Sequence, residues 1–188
     1  MPSGKLIVVS APSGSGKTTI AHEILRRNPT LSFSVSATTR KQRAGEVDGK
    51  DYFFLTPEGF KRRVDAGDFV EWEELYGDSY GTLKSEVDRA LQHGQHLLFD
   101  VDVKGGLSIK RQYPEALLIF IEAPNMEVLK QRLVGRHTED EEAISRRLER
   151  VPMELEMGKE FDHQVVNDEL THAIDEVQRL VYSYLHTK

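Results

Sequence analysis

No cysteine occurs among the 188 residues, which excludes disulfides and thiolate catalysis and fits a reducing, cytosolic compartment. Long apolar runs are missing too. The N-terminal MPSGKLIVVSAP offers only Leu6 to Val9, far short of a signal-peptide core or a membrane span, so neither targeting nor membrane contact is expected. Positive charge is in deficit, with 25 Lys and Arg against 31 Asp and Glu and a net charge of -6. A sequence-independent binder of nucleic acid polymers needs the opposite balance. No repeat, low-complexity tract or linker divides the chain, so a single domain is expected.

What is present points to an α/β fold. The short runs LIVV (Leu6 to Val9), HLLFDV (His96 to Val101), LLIFI (Leu117 to Ile121) and QVV (Gln164 to Val166) show no alternation, as in parallel strands buried on both faces. Between them lie helical spacings: Ile20, Ile24 and Leu25; Leu83, Val87, Ala90 and Leu91 before Gly94; and Ile174, Val177, Leu180, Val181 and Leu185. Two segments break this rhythm. Thr38 to Thr82 is rich in Arg, Gly, Asp and Tyr, with β-like YFFL and FVEW around a helix that Thr56 caps ahead of Pro57; it reads as an inserted lobe. Arg132 to Met157 carries an arginine-dense helix whose start is marked by Thr138 and Glu141 at capping-box spacing; it reads as a mobile lid.

Ala11 to Thr18, APSGSGKT, lies between the first strand and the first helix, the context of a P-loop. Its amides and the helix N-terminus favour a bound phosphate. Residues Ala11, Pro12, Ser13, Gly14, Ser15, Gly16, Lys17, Thr18 and Thr19 are the expected contacts of a nucleoside triphosphate. Lys17 would lie against the β- and γ-phosphate oxygens, and the Thr18 hydroxyl would ligate Mg²⁺. Ala11 stands where the strict pattern has its first glycine. Asp100 closes the run LLFD at the carboxyl end of a strand, where it can hold Mg²⁺ through water or simply cap the strand end. Arg40 and Arg43, three apart, can fork around a second phosphate, with Tyr52 donating a third hydrogen bond, or can be ordinary surface charge. Glu71, beside Trp72 in FVEW, is equally open as a ligand or a charge on an edge strand. The remaining histidines, at positions 22, 93, 96, 163, 172 and 186, lack metal-ligand spacing and read as surface or helix-end residues.

The P-loop, SATTR-x-x-R-x-GE-x-x-G-x-DY, F-x-E-W, the Tyr80-Gly81 pair, FDVDVKG, L-x-x-RL-x-GR and VVND together make the chain resemble guanylate kinase from end to end. The resemblance implies a P-loop three-layer α/β/α core with a parallel sheet (1-37, 83-123 and 158-188), a small mixed α/β GMP-binding insertion (38-82) and a helical lid (124-157). It implies Mg²⁺-dependent transfer of the ATP γ-phosphate to GMP or dGMP. The GMP phosphate would sit on Arg40, Arg43, Tyr52 and Tyr80, with Glu46 holding the arginines. Glu71 and Asp102 would accept from the guanine N1–H and 2-amino group, and Ser36 and Thr82 would donate to O6. Lys17, Arg40, Arg132, Arg136 and Arg147 would carry catalysis, Thr18 and Asp100 the metal, and Asn167 would lie beside the adenine. Arg146 and Arg150 read instead as a solvated face paired with Glu139, Asp140, Glu141 and Glu142. His137 and Lys104 depart from the family's usual glycine and glutamine. Two rivals stand against this: a noncatalytic module gripping a phosphorylated peptide, which need not keep Lys17, Thr18 and the lid arginines, and a kinase of another base. The sequence leaves monomer and homo-oligomer equally open.

Overall fold

The computed structural model describes residues 4–75, 77–135 and 141–187. In chain order the elements are β1 (Leu6–Ser10), α1 (Lys17–Arg27), β2 (Leu31–Phe33), β3 (Ala37–Thr38), β4 (Phe53–Phe54), α2 (Pro57–Asp65), β5 (Phe69–Leu75), β6 (Asp78–Leu83), α3 (Lys84–Gln92), β7 (His96–Asp100), α4 (Val103–Gln112), β8 (Leu117–Glu122), α5 (Met126–Val134), α6 (Glu141–Gly158), β9 (His163–Val166) and α7 (Leu170–His186). β2-β7-β1-β8-β9 form one wholly parallel sheet.

Because β1 and β8 are apolar at every position but their last, each presents side chains to both faces, and a layer of helices covers each. Ile7, Val9, Leu98, Ile119 and Ile121 pack on one side with Ile20 and Ile24 of α1 and Ile174, Val177 and Val181 of α7. Leu6, Val8, Phe99, Leu118 and Phe120 face the other way, onto Val87 of α3 and Val103, Leu107 and Ile109 of α4. Each fully buried aliphatic or aromatic side chain here contributes about 1.5 to 3 kcal/mol of transfer free energy. The expected three-layer α/β core is therefore present.

A second, mixed sheet of order β4-β3-β6-β5 is drawn from residues 37–83. β3 and β4 are parallel, and the other pairs are antiparallel. It packs through Ala37, Phe60, Phe69 and Leu83, with the Phe60 and Phe69 rings stacked 4.5 Å apart. The Thr56 hydroxyl accepts from the Gly59 amide at 3.1 Å and Pro57 opens α2, as the sequence pattern required.

The helices α5 and α6 share a small core of their own, Leu129, Leu133 and Val151. Pro152 inside α6 has no N–H for the Leu148 carbonyl. At its end, Gly158 lies against Phe120 so closely that a Cβ would stand 2.4 Å from the ring. Only glycine fits there. The Thr138 cap, His137 and the side chain of Glu141 lie outside the described residues, as do Glu139 and Asp140.

Two features differ from the expectation. The helix α4 was not visible in VKGGLSIKRQ, because Gly105 and Gly106 lower helix propensity. They are there for packing: a Cβ on Gly106 would come within 2.7 Å of Phe161. His96 is no surface or helix-end residue either, since it opens β7 and its Nδ1 accepts from the Lys5 amide at 3.0 Å.

Candidate active site

The central strand β1 runs into the loop Ala11 to Gly16, and α1 begins at Lys17. Gly14 and Gly16 both adopt φ 92°, a left-handed conformation that side chains disfavour. At Gly16 the restriction is double, because a Cβ would also meet the Asn167 amide nitrogen at 2.5 Å. That amide donates to the Ser15 carbonyl at 2.8 Å, and Asn167 is only 3% exposed. The residue after β9 thus braces the loop from behind. Ala11 packs against the core.

Lys17 Nζ donates to the Val101 carbonyl at 3.0 Å and contacts the Asp100 carboxylate. The Thr18 hydroxyl donates to Asp100 Oδ2 at 3.2 Å. A hydroxyl and a carboxylate at the carboxyl end of a parallel strand are the hard oxygen donors Mg²⁺ takes when substrate phosphates complete its shell.

Two cavities open here. One, of about 300 Å³, is lined by Ala11 to Thr18 together with Arg147, Arg150 and Glu154. The other, of about 270 Å³, is lined by Ser36, Tyr52, Glu71, Glu73, Tyr80 and Asp100 among others. Lys17 and Asp102 belong to both walls. A cation is therefore placed where the two spaces meet.

Beside the second cavity, next to its lining residue Tyr52, Glu46 organises the arginine loop in two ways. Its Oε1 accepts from Arg40 Nη2 at 2.7 Å, and its Oε2 accepts from the Arg43 backbone amide at 2.8 Å. The Arg40 guanidinium lies 5.2 Å from the Tyr52 ring centre, and Tyr52 meets Tyr80 edge-on at 6.2 Å. Arg43 keeps its side chain exposed at the surface.

Deeper in the same cavity, Glu71 faces Asp102 across Gly105, where a Cβ would stand 3.1 Å from an oxygen of each. Asp102 caps α4, its Oδ1 accepting from the Gly105 amide at 2.7 Å, while its buried Oδ2 accepts no hydrogen bond among the described residues. Burial pushes the Glu71 carboxyl up to about 7, with the nearby Asp102 charge adding to the rise and Thr82 opposing it. Thr82, 1% exposed, pairs with Glu71 across the β5–β6 ladder.

Arg132 of α5 donates to the Asn167 carbonyl at 3.0 Å, and Arg147 of α6 donates to Ser13 Oγ at 2.8 Å. Arg136 lies outside the described residues. Arg146 pairs with Glu142 as expected for a solvated face. Arg150 does not: its Nη2 donates to Glu73 Oε1 at 2.9 Å, bridging α6 to β5. Glu73 and Glu154 went unnoticed in the sequence, although Glu73 is two residues beyond Glu71, on the same strand face, and Glu154 follows Arg150 by four, on the same helix face.

A parallel sheet whose central strand feeds a P-loop, with a second cavity meeting the first at the P-loop lysine, defines a P-loop protein of the nucleoside monophosphate kinase type. A family model described as guanylate kinase matches residues 3–184, and the chain belongs to the guanylate kinase family. It is 50% identical over 185 residues to the guanylate kinase of Chlorobium chlorochromatii, covering 98% of this chain and 97% of that one. With the guanylate kinase of Salinibacter ruber it shares 48% over 187 residues, covering 98% and 99%. The crystal structure of guanylate kinase from Anaplasma phagocytophilum superposes with a TM-score of 0.77 at 26% identity, over all of this chain and 89% of that one.

Ionisation of Glu71 gives the site a pH dependence with a definite sign. Its carboxyl, raised from an ordinary 4.5 to about 7, makes its most favourable contribution to folding below pH 4.5 and loses it as pH climbs through 7. A ligand that offers N–H donors takes the ionised form and reverses that preference. GMP affinity is accordingly expected to be about tenfold weaker at pH 6 than at pH 8, from titration of one carboxyl near 7. Calorimetry at the two pH values measures it. Because the GMP phosphate itself titrates near pH 6, the same experiment on Glu71→Gln isolates the carboxyl: the ratio should shrink in the variant, and an equal ratio in both proteins contradicts the assignment.

Proposed function

We propose that the chain is an ATP:GMP phosphotransferase that binds ATP on the P-loop and GMP in the adjoining cavity, and passes the γ-phosphoryl group directly between them in purine nucleotide metabolism in the cytoplasm. The observation that carries this is the pair of cavities meeting at Lys17 and Asp102. One wall supplies backbone amides for a triphosphate. The other supplies two tyrosines and the carboxylates Glu71 and Asp102, with Arg40 against the Tyr52 ring beside it, for a nucleoside monophosphate.

In the reaction an oxygen of the GMP phosphate forms a bond to the ATP γ-phosphorus while the bond from that phosphorus to the β–γ bridging oxygen breaks, leaving ADP and GDP. Nothing need be deprotonated, because the attacking group is already an anion. The work lies in alignment and in neutralising charge. Arg40, oriented by Glu46 and the face of Tyr52, holds the acceptor phosphate with Tyr80; the exposed Arg43 is to join them on binding. Lys17 spans both sites. Arg132, Arg136 and Arg147 bring further positive charge from the lid, and Asn167 braces the loop beside the expected adenine edge. Thr18 and Asp100 fit Mg²⁺, which supplies charge neutralisation at the donor phosphates when bound.

Guanine is chosen by acceptors. Its N1–H and 2-amino group point two donors at Glu71 and Asp102, with hydroxyls of Ser36 and Thr82 for O6, whereas adenine presents an acceptor at N1. ADP formation, followed in a coupled assay with GMP, AMP, UMP and CMP in turn, tests the proposal. GMP should dominate. Silence with all four would favour the binding-module rival.

A further inference from the structure

One face of α6 looks into both halves of the site. Arg147, Arg150 and Glu154 are three and four residues apart, so they form one stripe. Arg147 touches the P-loop through Ser13. Arg150 turns to the acceptor side: its guanidinium is 2.9 Å from Glu73 on β5, 3.6 Å from the buried Oδ2 of Asp102 at the head of α4, and 3.5 Å from Glu154 on its own helix. Among the described residues it is the cation within ion-pair distance of all three. Asp102 Oδ2 lies buried with Arg150 as its ion-pair partner at 3.6 Å.

We propose that Arg150 is a positioning residue for guanine recognition, holding Asp102 and Glu73 in place for the base and tying the helix that carries Arg147 to occupancy of the acceptor cavity. The inference rests on the reading of Asp102 as a base acceptor. Physically, four carboxylates crowd this corner, Glu71 and Glu73 from β5, Asp102 from α4 and Glu154 from α6, with Lys104 of α4 and Lys17 of the P-loop at longer range. Burial raises Glu71, Glu73 and Glu154, and the Asp102 charge raises them further, while Arg150 opposes the rise at Glu73 and Glu154. Without that cation Asp102 Oδ2 and Glu73 Oε1 would lose the partner that fixes them, and Asp102 would be free to turn away from the base. A base that donates to Asp102 holds its carboxylate where Arg150 meets it, and so favours the lid position that also sets Arg147 on the P-loop.

The test compares Arg150→Met, Arg150→Lys and Asp102→Asn with the wild type, measuring kcat and both KM values. Arg150→Met is expected to raise KM for GMP by about tenfold and to change kcat and KM for ATP by less than about threefold. Arg150→Lys keeps the charge without the fork and should restore part of the KM; it carries the test if the Met variant fails to fold. Combining Arg150→Met with Asp102→Asn should cost less than the sum of the two. An unchanged KM for GMP overturns the inference, and so does a loss confined to kcat and KM for ATP, which would make Arg150 a phosphate contact. If Asp102→Asn leaves the preference for GMP over IMP intact, the base-site reading itself has failed. If Asp102→Asn abolishes that preference and Arg150→Met changes nothing, only the role of Arg150 is wrong.

Discussion

Lys17→Ala is expected to lower kcat by roughly 10³-fold, about 4 kcal/mol, while the protein stays folded. The lysine stands at the junction of the two cavities, held by the Val101 carbonyl and the Asp100 carboxylate. Charge on the migrating phosphoryl oxygens is largest there in the transition state, so the loss falls on kcat more than on ground-state binding. The fold should tolerate the change because Lys17 caps no core cluster and Asp100 keeps the Thr18 hydroxyl as a partner. Steady-state kinetics beside a thermal melt provide the check. Survival of kcat to within about tenfold, 1.4 kcal/mol, would reduce Lys17 to an ordinary charge.

The next largest effects belong to the carboxylates over Gly105. Glu71→Gln and Asp102→Asn are each expected to reduce kcat/KM for GMP by about 10- to 150-fold, or 1.5 to 3 kcal/mol, the range for a charge-assisted hydrogen bond turned into a mismatch. Both substitutions keep shape. Asparagine still offers an oxygen to the Gly105 amide, so the cap of α4 survives Asp102→Asn, and a loss there reports on the base rather than on the helix. ATP binding, measured without GMP by calorimetry, should be nearly unchanged in both. A parallel loss of ATP affinity would mean that the substitutions disturb the P-loop wall.

Much of this was legible in the sequence because the relevant signals are local. Four apolar runs without alternation correspond to β1, β7, β8 and β9. The P-loop announces itself by residue types at fixed spacing, and its glycines are needed for a positive φ and a close approach by Asn167. The helix α4 escaped notice because two glycines hide its period, and their reason, contact with Phe161 and room between two carboxylates, lies in other parts of the chain. The strands β2, β3 and β6 are defined by their partners more than by their own composition. Arg150 looked like Arg146, an arginine on an acidic helix. What separates them is tertiary, since Glu142 lies on the same helix whereas Glu73 comes from β5, 77 residues away in the chain.

The claim that two carboxylates read the guanine is tested most directly by the ratio of kcat/KM for GMP to that for IMP, which lacks only the 2-amino group. In the wild type the ratio should be about 10 to 150, and in Glu71→Gln and Asp102→Asn it should collapse towards one. A ratio that stays the same in all three proteins would contradict the account.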